Sequence, residues 1–259
     1  MNEGFGETAK AWPKSSRNKV RRYPARGSYD RPDIYKILDG ALGCHVAYCI
    51  DGQPYCTPTA FWRDGDRLFW HGSSASRMLR TLGHATPACV TVSHFDAIVL
   101  ARSAFHHSVN YRSVMAFGNA ELIATEEGKL EAARMFVNRF FPGRWDAIKR
   151  PSAQEMKATT FITMRIEEAS AKTRTGPPID DEADYALPIW AGLIPVRMVV
   201  GAPLDCPRQH PDARRGADLS LYRDGGALGD VLTLASEAAA SDAGQKAYAL
   251  PRPSMSAVT

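Results

Sequence analysis

The segment from Leu68 to Arg77, LFWHGSSASR, combines side chains that bind anions. An apolar, strand-like run ends at Gly72, and small and hydroxyl residues then lead to Ser76 and Arg77. Exposed N–H groups at the start of a helix favour anions, and a guanidinium adds a planar pair of donors that matches phosphate oxygens. The pattern therefore indicates a phosphate site, and it also describes a capped surface helix with a solvated arginine.

Two further segments carry polar or aromatic groups in positions suited to a ligand. In SVNYRSV, Arg112 and Ser113 open an otherwise apolar strand, where they either donate to a ring edge or phosphate or protect a strand edge by charge. In PIWAGLIP, Trp190 lies beside a glycine between two prolines. That arrangement fits either an aromatic presented by a stiff loop or a packed core tryptophan.

Several familiar catalytic and metal-binding patterns are missing. The sequence contains no GxGxxG, GxxxxGK[ST], HExxH or GxSxG motif. The adjacent His106 and His107 point apart in a strand or a helix, which is poor geometry for one metal ion. The five cysteines form no CxxC pair, and their odd number favours a reduced, cytoplasmic protein. No metal site is predicted.

The charge distribution says little about partners. The formal net charge is +4, and residues 8–29 alone hold seven basic and no acidic side chains. Such a leader either binds nucleic acid or packs as a solvated arm on the domain, and we expect the arm and no nucleic-acid partner. No run approaches the ~18 apolar residues that span a bilayer, and no secretory signal is predicted, so no membrane partner is expected.

The elements that must position these residues are mostly strands. Asp51-Gly52 and Asp64-Gly65 are hairpin signals, and apolar strand patterns surround them. Helical periodicity appears before them, over residues 32–42, and again over residues 125–141. The expected fold is mainly β with flanking helices, an antiparallel barrel, in which Gly118 marks a bulge or bend. We expect a partly ordered basic leader over residues 1–27, the barrel domain over 28–203 and a loose extension over 204–259.

Three segments in a fixed order resemble one protein family. TPTAFWRDGDRLFWHGSSASRM, NYRSVMAFGNAEL and LPIWAGLIP are similar to the flavin-nucleotide-binding branch of the pyridoxamine 5'-phosphate oxidase-like family, which includes the nitroimidazole-resistance proteins. The resemblance covers roughly residues 20–203. It implies an FMN-binding split β-barrel, and a homodimer that holds FMN in the groove between its subunits.

The same resemblance assigns residues to the ring of the flavin. Thr59, Ala60 and Phe61 would line the isoalloxazine on the strand before the second hairpin. Trp70 and His71 would end the next strand against it.

The remaining assignments concern the flavin phosphate and the groove. Ser76 and Arg77 match the pair that holds the phosphate, and Arg112 and Ser113 match polar residues that approach the cofactor. Trp190 resembles the tryptophan of a WxG element that reaches the flavin of the partner subunit.

The sequence leaves three alternative functions open. The resemblance implies an FMN-dependent oxidoreductase of a small molecule, a flavin-binding protein without turnover, or a heme-binding protein of the same fold. His71 would serve as proton donor, as a wall of the ligand site or as heme ligand, and a deazaflavin is an alternative to FMN. The true oxidases of this family carry an Arg-x-His motif soon after the tryptophan that corresponds to Trp190. In this sequence Arg197 is the one basic residue of that stretch, which argues against oxidation of pyridoxine phosphate.

Overall fold

A computed structural model describes residues 10–243 of the chain, which form nine strands and five α-helices. The strands are β1 (Gly27–Ser28), β2 (Gly43–Ile50), β3 (Gln53–Asp64), β4 (Arg67–Ser73), β5 (His84–Leu100), β6 (Ser108–Leu122), β7 (Thr159–Arg165), β8 (Glu168–Arg174) and β9 (Gly192–Pro195). The helices are α1 (Arg31–Asp39), α2 (Arg77–Leu82), α3 (Glu126–Phe140), α4 (Ala153–Ala158) and α5 (Leu228–Ala243). In this part of the chain no helix is both long and apolar enough to cross a bilayer.

Six strands form a ring through antiparallel pairing. Going round, β6 pairs with β7, then come β4, β3, β2 and β5, and β5 pairs again with β6. The tight turns at Gly52 and Gly65 both have positive φ, which explains why glycine stands there. The fold class predicted from the sequence, a mainly β split barrel with flanking helices, is confirmed.

The split in the barrel lies along β6. One edge of β6 pairs with β5, while its other edge pairs with β8 over residues 111–117 and with β7 over residues 120–122. Gly118 lies at the change of partner, and a Cβ there would overlap the main-chain oxygen of Arg165. Of the predicted bulge or bend at Gly118, the bulge is wrong, because the register shifts of this pair lie in β5, at His84/Thr86 and Phe95/Ala97. The lack of a side chain at Gly118 allows β6 to lie close to the main chain of β7 at Arg165.

Alternation along the strands creates two separate apolar layers. Phe61 and Trp70 point into the barrel and belong to its main core. Their neighbours Trp62 and Phe69 point outward and stack on one another, with ring centroids 5.7 Å apart. Helices α3 and α4 cover that outward layer. The wall formed by β3, β4 and β7 is therefore apolar on both faces.

Both ends of the described chain pack on the barrel. In the leader, Trp12 is buried, and its indole N–H donates to the main-chain oxygen of Ile166. Near the other end, Arg139 of α3 donates to the carbonyl oxygens of Asp39 in α1 and Leu232 in α5. The extension predicted to be loose thus contains helix α5, which buries part of one face, and residues 204–216 before it are exposed. Residues 1–9 and 244–259 of the predicted leader and extension lie outside the described range.

Candidate functional site

The residues assigned to the flavin ring lie on both faces of the barrel wall. Phe61 and Trp70 are sealed inside the barrel, and Thr59 points the same way but is half-buried near its end. Ala60 is exposed on the outward face, and His71 also points outward, under α3. One chain therefore does not bring these five side chains into a single pocket.

Arg77 is an exposed cation at the first position of α2. Its guanidinium stacks over the ring of Tyr55 on β3, 4.4 Å from the centroid. No carboxylate forms an ion pair with it anywhere in residues 10–243. Ser76 precedes it with no capping bond from its hydroxyl to the helix. Both side chains are therefore free to bind an anion.

Arg112 and Ser113 point to opposite faces of β6, so they do not approach one ligand together. The Arg112 guanidinium donates two hydrogen bonds, of 2.9 and 2.8 Å, to the carboxylate of Asp96. This pairing raises the pKa of Arg112, so its charge is already neutralised by a local partner. The Ser113 hydroxyl donates to the main-chain oxygen of Lys172 at 3.3 Å.

Trp190 is presented to the surface. It lies just before β9, which pairs with β5, and 65% of it is exposed. Its ring folds over Gly192, where a Cβ would come within 2.8 Å of the indole carbon Cζ2. Because a side chain at position 192 would collide with the indole, this position of Trp190 requires the glycine of the WxG element.

His71 lies in an aromatic setting that the sequence did not reveal. On the outward face of β4 it stands opposite Phe161 of β7, with the rings stacked at 5.3 Å. Phe136 of α3 meets its ring edge to face at 4.7 Å, and Trp62 lies 5.7 Å away. Three aromatic side chains therefore fix the orientation of the imidazole.

A cavity of about 320 Å³ opens beside His71. Its lining comes from β4, β7, α3, α4 and the segment between the two helices, and it is mostly apolar. The principal lining side chains are His71, Phe136, Trp145, Met156 and Phe161. Lys149 and Arg150 also border the cavity. Glu155 lines it as well, so the space combines an apolar body with two cations, one carboxylate and one imidazole.

The imidazole of His71 has the properties of a metal ligand. Its Nδ1 is buried and has no hydrogen-bond partner, a condition that costs about 1–3 kcal/mol in a protein interior. Burial also lowers the pKa of His71, so the ring is neutral at neutral pH. Within residues 10–243, no three His, Cys, Asp or Glu side chains converge on a bare ion. A lone neutral imidazole suits an iron that brings its own equatorial ligands, as heme iron does.

The sequence predicted His71 but missed the residues that surround it. Phe136 and Phe161 lie 65 and 90 positions further along the chain, and Trp145 and Met156 come from a short turn and a short helix. The apolar face of α3 was a usable signal for Phe136. Nothing in the spacing indicated that this face would cover the outward side of β4.

Comparison with known proteins gives a consistent result. A family model described as pyridoxamine 5'-phosphate oxidase matches residues 30–173. No curated protein matches the chain.

Among solved structures, the flavocytochrome Anf3 from Azotobacter vinelandii is 46% identical, with a TM-score of 0.77 over 82% of this chain and 98% of that one. The FAD and heme binding protein from Mycobacterium smegmatis is 33% identical, with a TM-score of 0.74 over 78% and 98%. A candidate 5-nitroimidazole antibiotic resistance protein from Bacteroides thetaiotaomicron is 21% identical, with a TM-score of 0.47 over 56% and 85%.

Proposed function

The chain belongs to the pyridoxamine 5'-phosphate oxidase family, and from that premise we propose that it is a redox protein that binds both a flavin and a heme. The match to the family model over residues 30–173 confirms the resemblance found in the three sequence segments. The observation that carries the proposal is the unpartnered imidazole of His71 beside an aromatic cavity. It stands in a chain 46% identical to a flavocytochrome and 33% identical to a protein that binds FAD and heme.

The flavin would be held by residues on one end and one face of the barrel. Ser76 and Arg77 would bind its phosphate, because that guanidinium lacks a carboxylate partner. Ala60, on the outward face of β3, would support the flat ring. The sequence predicted FMN, with heme or a deazaflavin as alternatives. Because a similar protein binds FAD, we expect this chain to bind FAD more tightly than FMN.

The heme would occupy the cavity beside His71. A ring nitrogen of that residue would coordinate the iron, and the aromatic packing would hold the imidazole plane. Lys149 would pair with a carboxylate of the heme, whereas Arg150 already pairs with Asp146 at 3.0 Å. Phe136 and Met156 would exclude water from the iron.

The chemistry would come from the cofactors and the selectivity from the protein. Bound flavin supplies two-electron redox chemistry, and heme iron supplies one-electron steps and a site for a small ligand. Because burial lowers the pKa of His71, the residue holds no extra proton at neutral pH. It is therefore better suited to coordinate iron than to donate a proton to a substrate.

We propose oxidoreduction of a small molecule as the activity, with flavin and heme storage or sensing as the alternative. The mostly apolar lining of the cavity beside His71 favours the first, since it would keep a redox cofactor in a site protected from water. Anaerobic mixing with NADH or NADPH and a dye acceptor distinguishes them. Bleaching of the flavin followed by acceptor reduction supports an enzyme.

A homodimer would complete the flavin site. Large apolar side chains are exposed on β5, β6, β9 and the loop before β9, namely Phe95, Ile98, Met115, Trp190 and Ile194. A patch of this kind on a soluble domain marks an interaction surface, and a second copy would cover it and bring Trp190 to the flavin. Light scattering tests this: we expect twice the chain mass of 28.4 kDa, and a value of 28.4 kDa would contradict it.

Arg77→Gln is expected to weaken flavin binding by at least about tenfold, because it removes a charge-assisted bond to phosphate. Titration of the flavin-free protein with FMN and with FAD, followed by fluorescence quenching, measures the affinity. Arg80→Gln, an exposed arginine one turn further along α2, is the matched control and should bind as the unchanged chain does. No uptake of either flavin by the unchanged chain would overturn the flavin part of the proposal.

A further inference from the structure

Arg174, the last residue of β8, is a buried cation with an incomplete set of partners. It is only 7% exposed. Its Nη1 donates to the side-chain oxygen of Asn110, which is neutral, and that amide in turn donates to the main-chain oxygen of Gly176 at 3.1 Å. No other hydrogen bond joins this guanidinium to a described residue, and its remaining nitrogens are not among the buried polar atoms that lack a partner, so they lie within reach of a bound ligand or solvent.

No negative charge compensates Arg174 in the described part of the chain. None of the ion pairs there includes Arg174, Arg26 or Lys172. Burial, and next the positive charge of Arg26, lower the pKa of Arg174. Like charges held close together repel each other, and a bound anion would offset the repulsion between Arg26 and Arg174.

The strand register gathers further cations at the same edge of the sheet. Gly27 of β1 stands opposite Lys172, which places Arg26 next to the end of β8. Lys172 and Arg174 are two positions apart, so their side chains share a face of β8. Tyr111 and Ser113 of β6 lie opposite these two residues and add hydroxyl groups.

The chain before β1 is held in an unusual conformation that orders this cluster. Tyr23 has a φ of 56°, which is uncommon for a residue other than glycine. The guanidinium of Arg26 lies 4.3 Å from the centre of its ring, and that of Arg22 lies 5.4 Å from it. Two arginines are thus packed around one aromatic ring beside the end of β8.

We propose that Arg26, Lys172 and Arg174 form a binding site for a phosphate anion. Guanidinium groups match the planar pairs of oxygens on phosphate, and the neighbouring hydroxyl groups supply further donors. The site is separate from Arg77, which stacks on Tyr55 of β3. Strands β8 and β3 are four strand spacings apart in the sheet, which is roughly 19 Å along it. The anion is free phosphate, because the flavin phosphate is assigned to Ser76 and Arg77.

Calorimetric titration of the full chain with inorganic phosphate, at constant ionic strength, tests the site. We expect saturable binding that the double variant Arg26→Gln/Lys172→Gln weakens by at least about tenfold. Arg174→Gln should do the same if its circular dichroism shows a folded chain. Arg165→Gln, an exposed arginine on β7 without an ion pair, is the control and should leave binding unchanged.

Repeating the titration on the flavin-loaded protein tests whether the site is separate from the flavin. Unchanged phosphate uptake supports the site, and loss of uptake on loading overturns it. Absent uptake, or uptake that none of the variants weakens, overturns it. If the double variant instead shifts the monomer–dimer equilibrium with no phosphate uptake, a carboxylate of a second copy is the anion, and the proposal also fails. Flavin absorbance, measured on the same protein samples, tests separately whether the chain binds a flavin.

Discussion

His71→Ala is expected to abolish stoichiometric heme uptake while flavin uptake and folding persist. The imidazole is the one cavity-lining side chain with a ring nitrogen suited to iron, so its loss would remove the proposed ligand of the heme iron. Loss of an outer-shell partner of a ligand already costs roughly 10–100-fold in metal affinity, and loss of the ligand itself should cost more. Titration with hemin, followed in the Soret region, measures the change.

Two comparisons make that experiment specific. His107→Ala removes an exposed histidine that lies outside the cavity, and it should bind hemin as the unchanged chain does. Phe136→Ala keeps the ligand but removes an aromatic contact to it, so it should loosen heme binding without abolishing the Soret band. An unaltered Soret band in His71→Ala would show that iron is held elsewhere.

Gly118→Ala is expected to lower the free energy of unfolding by about 3 kcal/mol, near the upper end of what overpacking costs. The added methyl group would meet the main-chain oxygen of Arg165, which cannot rotate away as a flexible side chain can. Relief requires β6 to move from the end of β7, at the point where β6 changes partner. Chemical denaturation followed by tryptophan fluorescence measures the loss.

Gly201→Ala is the matched control for this substitution. Its Cβ would meet no atom within 4 Å, and its φ is not positive, so the same chemical change should alter stability by less than about 0.5 kcal/mol. Equal stability of the Gly118 and Gly201 variants would mean that the close approach of β6 to Arg165 does not exist in solution.

The general architecture could be predicted because its signals are local. The Asp-Gly turns announce hairpins, and hairpin-linked strands favour an antiparallel sheet. The resemblance of three ordered segments then pointed to the right family and the right barrel. Gly118 was a partial success, since the sequence marked it as special but attributed it to a bulge or bend. Its actual neighbour, Arg165, lies 47 positions away, and no local pattern reveals such a contact.

The site could be predicted only in part because its chemistry depends on what covers each strand. Arg112 looked like a free donor, and a long-range pairing with Asp96 across a register shift of β5 neutralises it. His71 was identified by position, but its availability depends on the aromatic cover from α3 and β7. Arg174 was not noticed at all, because a buried arginine without a carboxylate partner cannot be distinguished from a solvated one in the sequence.

The absorption spectrum of the full-length protein, purified without denaturation and loaded with excess FAD and hemin before gel filtration, tests the central claim most directly. We expect flavin bands and a Soret band to elute together with the protein, at one flavin and one heme per chain, and the Soret band to shift on reduction. A protein that elutes with neither chromophore would contradict the account.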